Sequence, residues 1–245
     1  MNFNNSIMWN PWHGCHRKSE GCAHCYMYSQ DKKYDVDSSK ITISKTQFNL
    51  PIQRDKYCDY KIPSGTLIKT CMTSDFFIEE ADAYRKQALD IIEERQDLDF
   101  LIITKRPERV KDAINKKYKN IMLAITCENQ IRFNERLNIL NQIDLNIFKT
   151  ILIFVSPILE EINLTGLSNI QQFIGGIYVG GENYIGARPC YFEWVQNMSI
   201  QTKQLNIPFT FWDIGSNFIK DNKQYNIKDA KIRMEQAIKS NLSHN

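Results

Sequence analysis

From residue 66 onward, short apolar runs rich in β-branched residues alternate with longer amphipathic stretches, and this alternation constrains the fold more than any other feature. The runs Thr66–Cys71, Phe100–Thr104, Ile121–Thr126, Thr150–Val155, Gly176–Val179 and Pro208–Trp212 read as strands. A short one over Ser6–Trp9 makes seven. Between them, helical periodicity covers roughly 79–95, 107–118, 130–141, 190–205 and 226–241. In the first of these, Tyr84, Ala88 and Ile91 form one apolar stripe for the sheet and leave Glu79, Arg85, Lys86 and Glu93 for solvent. The strands are almost uniformly apolar, as expected of parallel strands covered on both faces. Repeated βα units with a parallel sheet follow.

A full eightfold barrel takes about 250 residues with every unit visible. Six or seven units in 245 residues instead predict an α/β fold of the partial (β/α) barrel type, as a single domain over 1–245. Residues 36–64, with few apolar positions and ending in Ile62-Pro63-Ser64-Gly65, read as an insertion or a lid, and 240–245 as a frayed tail. Ligands of such folds bind at the C-terminal ends of the strands. The residues just past each strand are therefore the candidates: Ser74 and Asp75, Lys105 and Arg106, Glu128, Ser156, Glu182 and Asp213.

Composition removes several classes. No apolar run approaches the roughly 18–20 residues of a membrane-spanning helix, so no membrane association is expected. Met1–Ser6 has neither a basic head nor an apolar stretch, which predicts a cytoplasmic protein. The net charge of +3 is spread along the chain and permits a nucleic-acid partner without requiring one. Seven cysteines without an export signal argue for metal binding or buried thiols over disulfides.

Three of those thiols lie within eleven residues. Gly14-Cys15-His16-Arg17-Lys18-Ser19-Glu20-Gly21-Cys22-Ala23-His24-Cys25-Tyr26 spaces them as Cys-x6-Cys-x2-Cys, in a loop able to turn its sulfurs onto one centre. Two metal centres suit such a loop. A structural zinc needs a fourth ligand, for which His13, His16 or His24 is at hand. A cubane iron–sulfur cluster on three thiolates leaves one iron open for an exogenous ligand. Cys71 and Cys127 end strands and are candidates for the same mouth, whereas Cys58 and Cys190 are isolated.

A three-cysteine loop before a partial βα barrel resembles the radical SAM superfamily, whose first gap is usually shorter. The stretches Trp9-Asn10-Pro11-Trp12-His13-Gly14-Cys15, Gly21-Cys22-Ala23-His24-Cys25-Tyr26, Thr73-Ser74-Asp75-Phe76-Phe77, Thr104-Lys105-Arg106-Pro107-Glu108-Arg109, Val179-Gly180-Gly181-Glu182-Asn183 and Gly186-Ala187-Arg188-Pro189 resemble more closely a phage-associated three-Cys-motif family. That family is radical-SAM-like and similar to spore photoproduct lyase. Where it carries Ser-Ala-Glu-Pro, this chain has Val155-Ser156-Pro157, and its Lys-Gln-Trp-Gly appears here as Phe211-Trp212-Asp213-Ile214-Gly215.

The resemblance implies a [4Fe-4S] cluster on Cys15, Cys22 and Cys25, S-adenosylmethionine as cofactor, an electron-donor protein, and action in a bacterial or phage-infected cell. Candidate SAM contacts are Asp75 or Ser74 for its ammonium, Lys105 or Arg106 for its carboxylate and Glu128 for the ribose. His24, just before the third cysteine, is placed near the adenine. Gly180 and Gly181 would allow close backbone approach beneath a ligand, with Glu182 beside them. The expected substrate is a base of DNA or RNA, with Lys105, Arg106, Arg109 and Arg188 facing phosphates and Trp12 or Trp212 offering a flat ring. The competing expectation is a nucleic-acid-binding protein that keeps a zinc or a non-catalytic cluster in the loop.

Overall fold

The computed structural model describes residues 6–184 and 186–245. Seven strands form one all-parallel sheet: β1 Ser6–Trp9, β2 Leu67–Thr70, β3 Asp99–Thr104, β4 Tyr118–Thr126, β5 Phe148–Val155, β6 Ile174–Gly180 and β7 Phe209–Asp213. Their order in the sheet is their order in the chain. Each strand is therefore laid beside its predecessor without the reversal of a doubly wound fold, and the sheet curls into a partial (β/α) barrel. The longer helices are α1 Tyr26–Lys33, α2 Asp82–Glu94, α3 Gln130–Leu140, α4 Phe192–Gln204 and α5 Ala230–Lys239. Side-chain caps start two of them: Asn129 accepts from the Arg132 amide ahead of α3, and Asp229 from that of Ile232 ahead of α5.

Alternation along the strands separates two apolar layers. Ile68, Ile102, Leu123, Ile153, Val179 and Phe211 join the main core beneath the helices. Leu101, Met122 and Leu152 point to the concave side and fill the lower part of the lumen, and Tyr178 stacks on Phe154 nearer the mouth.

Four sequence expectations change in the structure. The helix expected over 107–118 is only a 3-10 turn, Pro107–Arg109, and one α turn, Val110–Ala113. Val110, Ile114 and Tyr118 mimic a helical stripe, but Ile114 is extended and Tyr118 opens the nine-residue strand β4 opposite Phe148. Arg85 is not a solvent residue: it is buried, with Nε on the Phe76 carbonyl at 2.9 Å and Nη2 on that of Ile78 at 2.5 Å. Tyr84 stands exposed, and Leu89 and Ile92 complete the buried face instead.

The C-terminal residues are docked, not frayed. His244 bridges antiparallel to Phe209 through two backbone hydrogen bonds of 2.8 and 2.9 Å and stacks its ring on that phenylalanine, which caps the outer strand of the sheet. The 36–64 segment is an insertion fixed to the barrel and does not form a free lid. Its Thr42–Ile43 pairs with Trp12–His13, its Gln47 and Phe48 carbonyls accept from the Trp9 indole, and the Ile62 carbonyl accepts from buried Arg95 at 2.8 Å.

Beyond β6 the chain passes close to the end of β7, with the Gly181 amide on the Asp213 carbonyl at 2.9 Å. A Cβ on Gly181 would stand 2.5 Å from the Ile214 oxygen and 2.7 Å from the Gly215 Cα, both backbone atoms with no freedom to step aside. Gly181→Ala is expected to destabilise by about 1–3 kcal/mol, the usual overpacking range. At roughly 2–4 °C per kcal/mol for a chain of this size, thermal unfolding followed by circular dichroism reads the loss directly.

Candidate metal-binding cavity

The cysteine loop leaves β1 through the short strand Trp12–His13 and is tied down along its length. The Gly14 amide donates to the Thr73 carbonyl at 3.1 Å, the Cys15 amide to that of Ser38 at 2.8 Å, and Ser74 Oγ to the Gly14 carbonyl at 2.5 Å. Glu20–Cys22 forms a 3-10 turn, and Cys25 is the N-cap of α1. The result gathers Cys15, Cys22 and Cys25 around one cavity of about 150 Å³ at the C-terminal ends of β2 to β4. Ser74, Asp75, Lys105, Arg106 and Cys71 share its lining.

Burial pushes the Cys15 thiol up to about 11, with Asp75 adding to the rise and Arg106 opposing it. The Cys25 thiol is also raised by burial, against the amides of Met27 and Tyr28 and the charge of Lys105. Both cations therefore act on the thiols from the cavity wall. Arg106 is buried and donates to the His16 carbonyl at 3.0 Å. The Lys105 ammonium has no hydrogen-bond or ion-pair partner among the described residues.

The remaining candidates hold the site together more than they line it. Asp75 is a saturated hub: Oδ1 accepts from Thr104 Oγ1 at 2.7 Å and the Phe77 amide at 3.0 Å, and Oδ2 from the Lys105 amide at 3.0 Å and Arg106 at 3.5 Å. It offers little free capacity to an ammonium. Glu128 has no exposed surface and lies beneath the loop instead of in the cavity. Its Oε2 accepts from Arg136 at 2.5 Å, while Oε1 accepts from the Ser19 hydroxyl and from the Gly21 amide at 3.2 Å. Burial pushes its carboxyl up, but Arg136, Lys105 and Ser19 more than reverse this and leave it below its ordinary value. His24 turns away from the cavity: Nδ1 meets Glu182 Oε2 at 2.8 Å. The Arg188 amide and Nε reach that same oxygen at 2.9 Å each, and Arg188 Nη2 donates to the Glu20 carbonyl at 3.0 Å. Gly180 and Gly181 pack against Trp212 and the Ile214–Gly215 backbone respectively, not beneath the cavity.

Of the other sequence candidates, Cys71 lines the cavity at φ 57°, Cys127 and Cys190 are buried elsewhere, and Cys58 is exposed. Trp12 is wholly buried with its indole on the Asp75 carbonyl at 3.2 Å, so it presents no open ring face. Arg109 pairs with Glu79 and Asp82, and Arg188 with Glu182, which leaves Lys105 as the unpaired cation of the four expected at the mouth. Arg136 escaped notice in the sequence because an arginine on a surface helix reads as solvated.

The donor set can be tested against a metal. Each histidine of the loop points a ring nitrogen at a carboxylate, His13 at Asp31, His16 at Glu80 and His24 at Glu182, and none lines the cavity. A single tetrahedral ion at about 2.3 Å from each sulfur would hold thiolates roughly 4 Å apart, and no three such donors are gathered to hold one ion among the described residues. A cubane takes its thiolates on different corners and so from farther apart. Three thiols around one cavity with two cations beside them fit that group.

Fold and site together define a partial (β/α) barrel with a three-cysteine cavity at the C-terminal mouth of its sheet. Residues 4–241 match the family described as "Protein of unknown function (DUF5131)", and the chain belongs to that family. No match is found among the curated proteins or among the solved structures. No helix among the described residues is long and apolar enough to cross a membrane.

Removing Glu128 leaves Arg136 buried without its anion, a change that costs about 3–5 kcal/mol. Glu128→Ala is expected to lower the melting temperature by roughly 10 °C and to speed alkylation of Cys22, mapped by mass spectrometry. The same pair gives a signed acid response. Its carboxyl is lower when folded than the ordinary value of about 4.3, so its contribution is complete above that pH and fades as pH falls through the folded value. Between pH 5 and 8 the difference in stability between Glu128→Ala and the parent should stay flat; a difference that grows from pH 5 to 8 would contradict the assignment.

Proposed function

We propose that this chain is a radical SAM-type enzyme in which Cys15, Cys22 and Cys25 hold a [4Fe-4S] cluster, SAM is the cofactor and a base of DNA or RNA is the substrate. The observation that carries the reading is the convergence of three thiols from one loop on a single cavity at the C-terminal ends of parallel strands. When bound, the cluster supplies the electron that breaks a carbon–sulfur bond of SAM, releasing methionine and a 5′-deoxyadenosyl radical able to abstract hydrogen.

The protein's own residues set the conditions for that chemistry. Lys105 and Arg106 stand beside Cys25 and Cys15 and offset the charge of three thiolates. The free ammonium of Lys105 is the cavity's remaining donor for a carboxylate. Ser74 and Asp75 keep the loop backbone and Arg106 in place, and Tyr26 and Ile103 add apolar surface to the cavity wall. All seven cysteines are free thiols, which agrees with a reducing cytoplasm. A separate electron-donor protein is part of the proposal.

Anaerobic reconstitution should give a brown protein with broad absorption near about 400 nm and matching iron and sulfide. Cys15→Ala, Cys22→Ala and Cys25→Ala should each lose it, while Cys58→Ala keeps it. With dithionite and SAM the loaded protein should form 5′-deoxyadenosine. Colourless protein with one zinc, or full iron retention in Cys22→Ala, would overturn the reading in favour of a metal-stabilised binding protein. A second expectation concerns Lys105: Lys105→Met should weaken SAM binding about tenfold, the loss of one hydrogen bond to a charged group, without altering the iron content. Equal affinity in calorimetry would remove Lys105 from the SAM site.

A further inference from the structure

Four thiols line the cysteine cavity, one more than the loop supplies. Cys15, Cys22 and Cys25 come from the loop, whereas Cys71 comes from the sheet, one residue past the end of β2. The other three cysteines of the chain lie away from this cavity, Cys127 and Cys190 buried and Cys58 exposed.

The backbone fixes where Cys71 stands. Its amide donates to the Trp9 carbonyl at 2.9 Å, which carries the pairing of β1 and β2 one step further, and its carbonyl accepts from the Ser74 amide at 3.2 Å, which closes the turn that leads into Asp75. Between these two bonds φ is 57°, a left-handed angle that glycine takes most readily and asparagine tolerates. The turn itself therefore has no use for a thiol. Cys71 is only 3% exposed, so its side chain meets the cavity wall and not bulk solvent, and the thiol whose charge it feels most is Cys15.

Its electrostatic surroundings differ from those of the loop thiols. Arg106 acts on Cys15 and Lys105 on Cys25 from the cavity wall. The cation that acts on Cys71 is Arg85, whose guanidinium is already committed to Asp82 and to the carbonyls of Phe76 and Ile78, and Asp75 works in the opposite sense. Negative charge on the Cys71 sulfur is thus less compensated than on Cys15 or Cys25.

A cubane has four irons, and three loop thiolates leave one of them without a protein ligand. We infer that Cys71 ligates this fourth iron while SAM is absent and gives way when SAM arrives. The inference rests on the radical SAM reading and deepens it, because it makes access to the open iron a regulated step. No oxidant or reductant is needed. The Cys71 thiol releases its proton on binding iron and regains one from solvent on leaving, while the amino and carboxylate groups of SAM take over its position. The layout of the site suits such an exchange. The three lasting ligands share one anchored loop and the fourth stands on a separate element, so its departure leaves the others in place. A poorly compensated thiolate is also the easier one to displace.

The test compares the parent chain with Cys71→Ala after anaerobic reconstitution. Both should hold the same iron and sulfide, since the loop thiols remain. Treated with ferricyanide in the absence of SAM, the parent should keep its fourth iron, whereas Cys71→Ala should lose it and show the electron paramagnetic resonance signal of a [3Fe-4S] cluster as its main species. SAM titrated by calorimetry should bind Cys71→Ala about tenfold more tightly, because no thiolate has to leave. Cys71→Gly, which suits the left-handed backbone, repeats both measurements and covers the case in which the alanine variant does not fold. Equal iron loss and equal SAM affinity in the parent and Cys71→Gly overturn the inference and make Cys71 a packing residue. Loss of the whole cluster in both variants overturns it too, since Cys71 would then be a permanent ligand. A parent chain that takes up no iron refutes the radical SAM reading itself, whereas a loaded parent matched by its variants removes Cys71 alone.

Discussion

The buried Glu128–Arg136 pair holds in place the part of this molecule that the sheet cannot. Parallel strands present their ends to solvent, but a loop such as 14–25 has little regular structure and many backbone groups to satisfy. Burying two charges is expensive unless every lone pair and proton is met. Here the pair is completed only when Ser19 and Gly21 arrive, so the carboxylate that ends β4 is satisfied in one position of the loop and in no other. Ion pairs of this type often add little net stability; their contribution is to the choice of one arrangement over its neighbours.

The same logic repeats around the mouth. Asp75 collects Thr104 and the Lys105 amide, and with them the direction in which Lys105 and Arg106 leave β3. Glu182 takes His24 from the loop and Arg188 from its own segment, and Arg188 in turn bonds the Glu20 carbonyl. Three carboxylates at the ends of three strands therefore act as anchors for one loop. Being saturated, they leave the cavity with a cationic character: the thiols face Lys105 and Arg106, and Asp75, the carboxylate among its described lining residues, is filled with hydrogen-bond donors. That is the electrostatic environment in which a group held by three thiolates is least penalised.

Much of the fold was legible because uniform β-branched runs have few alternatives. All seven strands stand where the sequence puts them, to within three residues at either end. The helix over 107–118 failed because Val110, Ile114 and Tyr118 satisfy a helical stripe and a turn-then-strand path equally well, and only the long pairing of β4 with β5 decides between them. At the site, positions were legible and roles were not. Position after a strand reveals that Asp75 and Glu128 belong to the mouth. It says nothing of the donors that fill them, several of which come from far along the chain: Thr104 and the Lys105 amide, about 30 places away, for Asp75, and Ser19 and the Gly21 amide, more than 100 away, for Glu128. Arg85 and Arg136 were hidden for a related reason: helical spacing assigned Arg85 to solvent and singled out nothing at Arg136, whereas burial was decided by carbonyls and a carboxylate beyond the helix.

The incompleteness of the barrel is what makes the two halves of the mouth different. In an eightfold barrel the strands close and inward side chains fill the lumen in layers. With seven strands the sheet has two edges, and the outer one is covered by the C-terminal bridge of His244 to Phe209. The lower layer is still packed, so stability does not need the lumen above it. Over β2 to β4 that upper space is taken by the cysteine loop, which leaves only a cavity of about 150 Å³. Over β5 to β7 the side chains of Phe154 and Trp212 stay partly exposed. A small cavity lined by thiols and cations thus adjoins a layer of aromatic side chains along a single sheet, with Ile103 at their boundary. That division follows from a parallel sheet of seven strands that curls without closing.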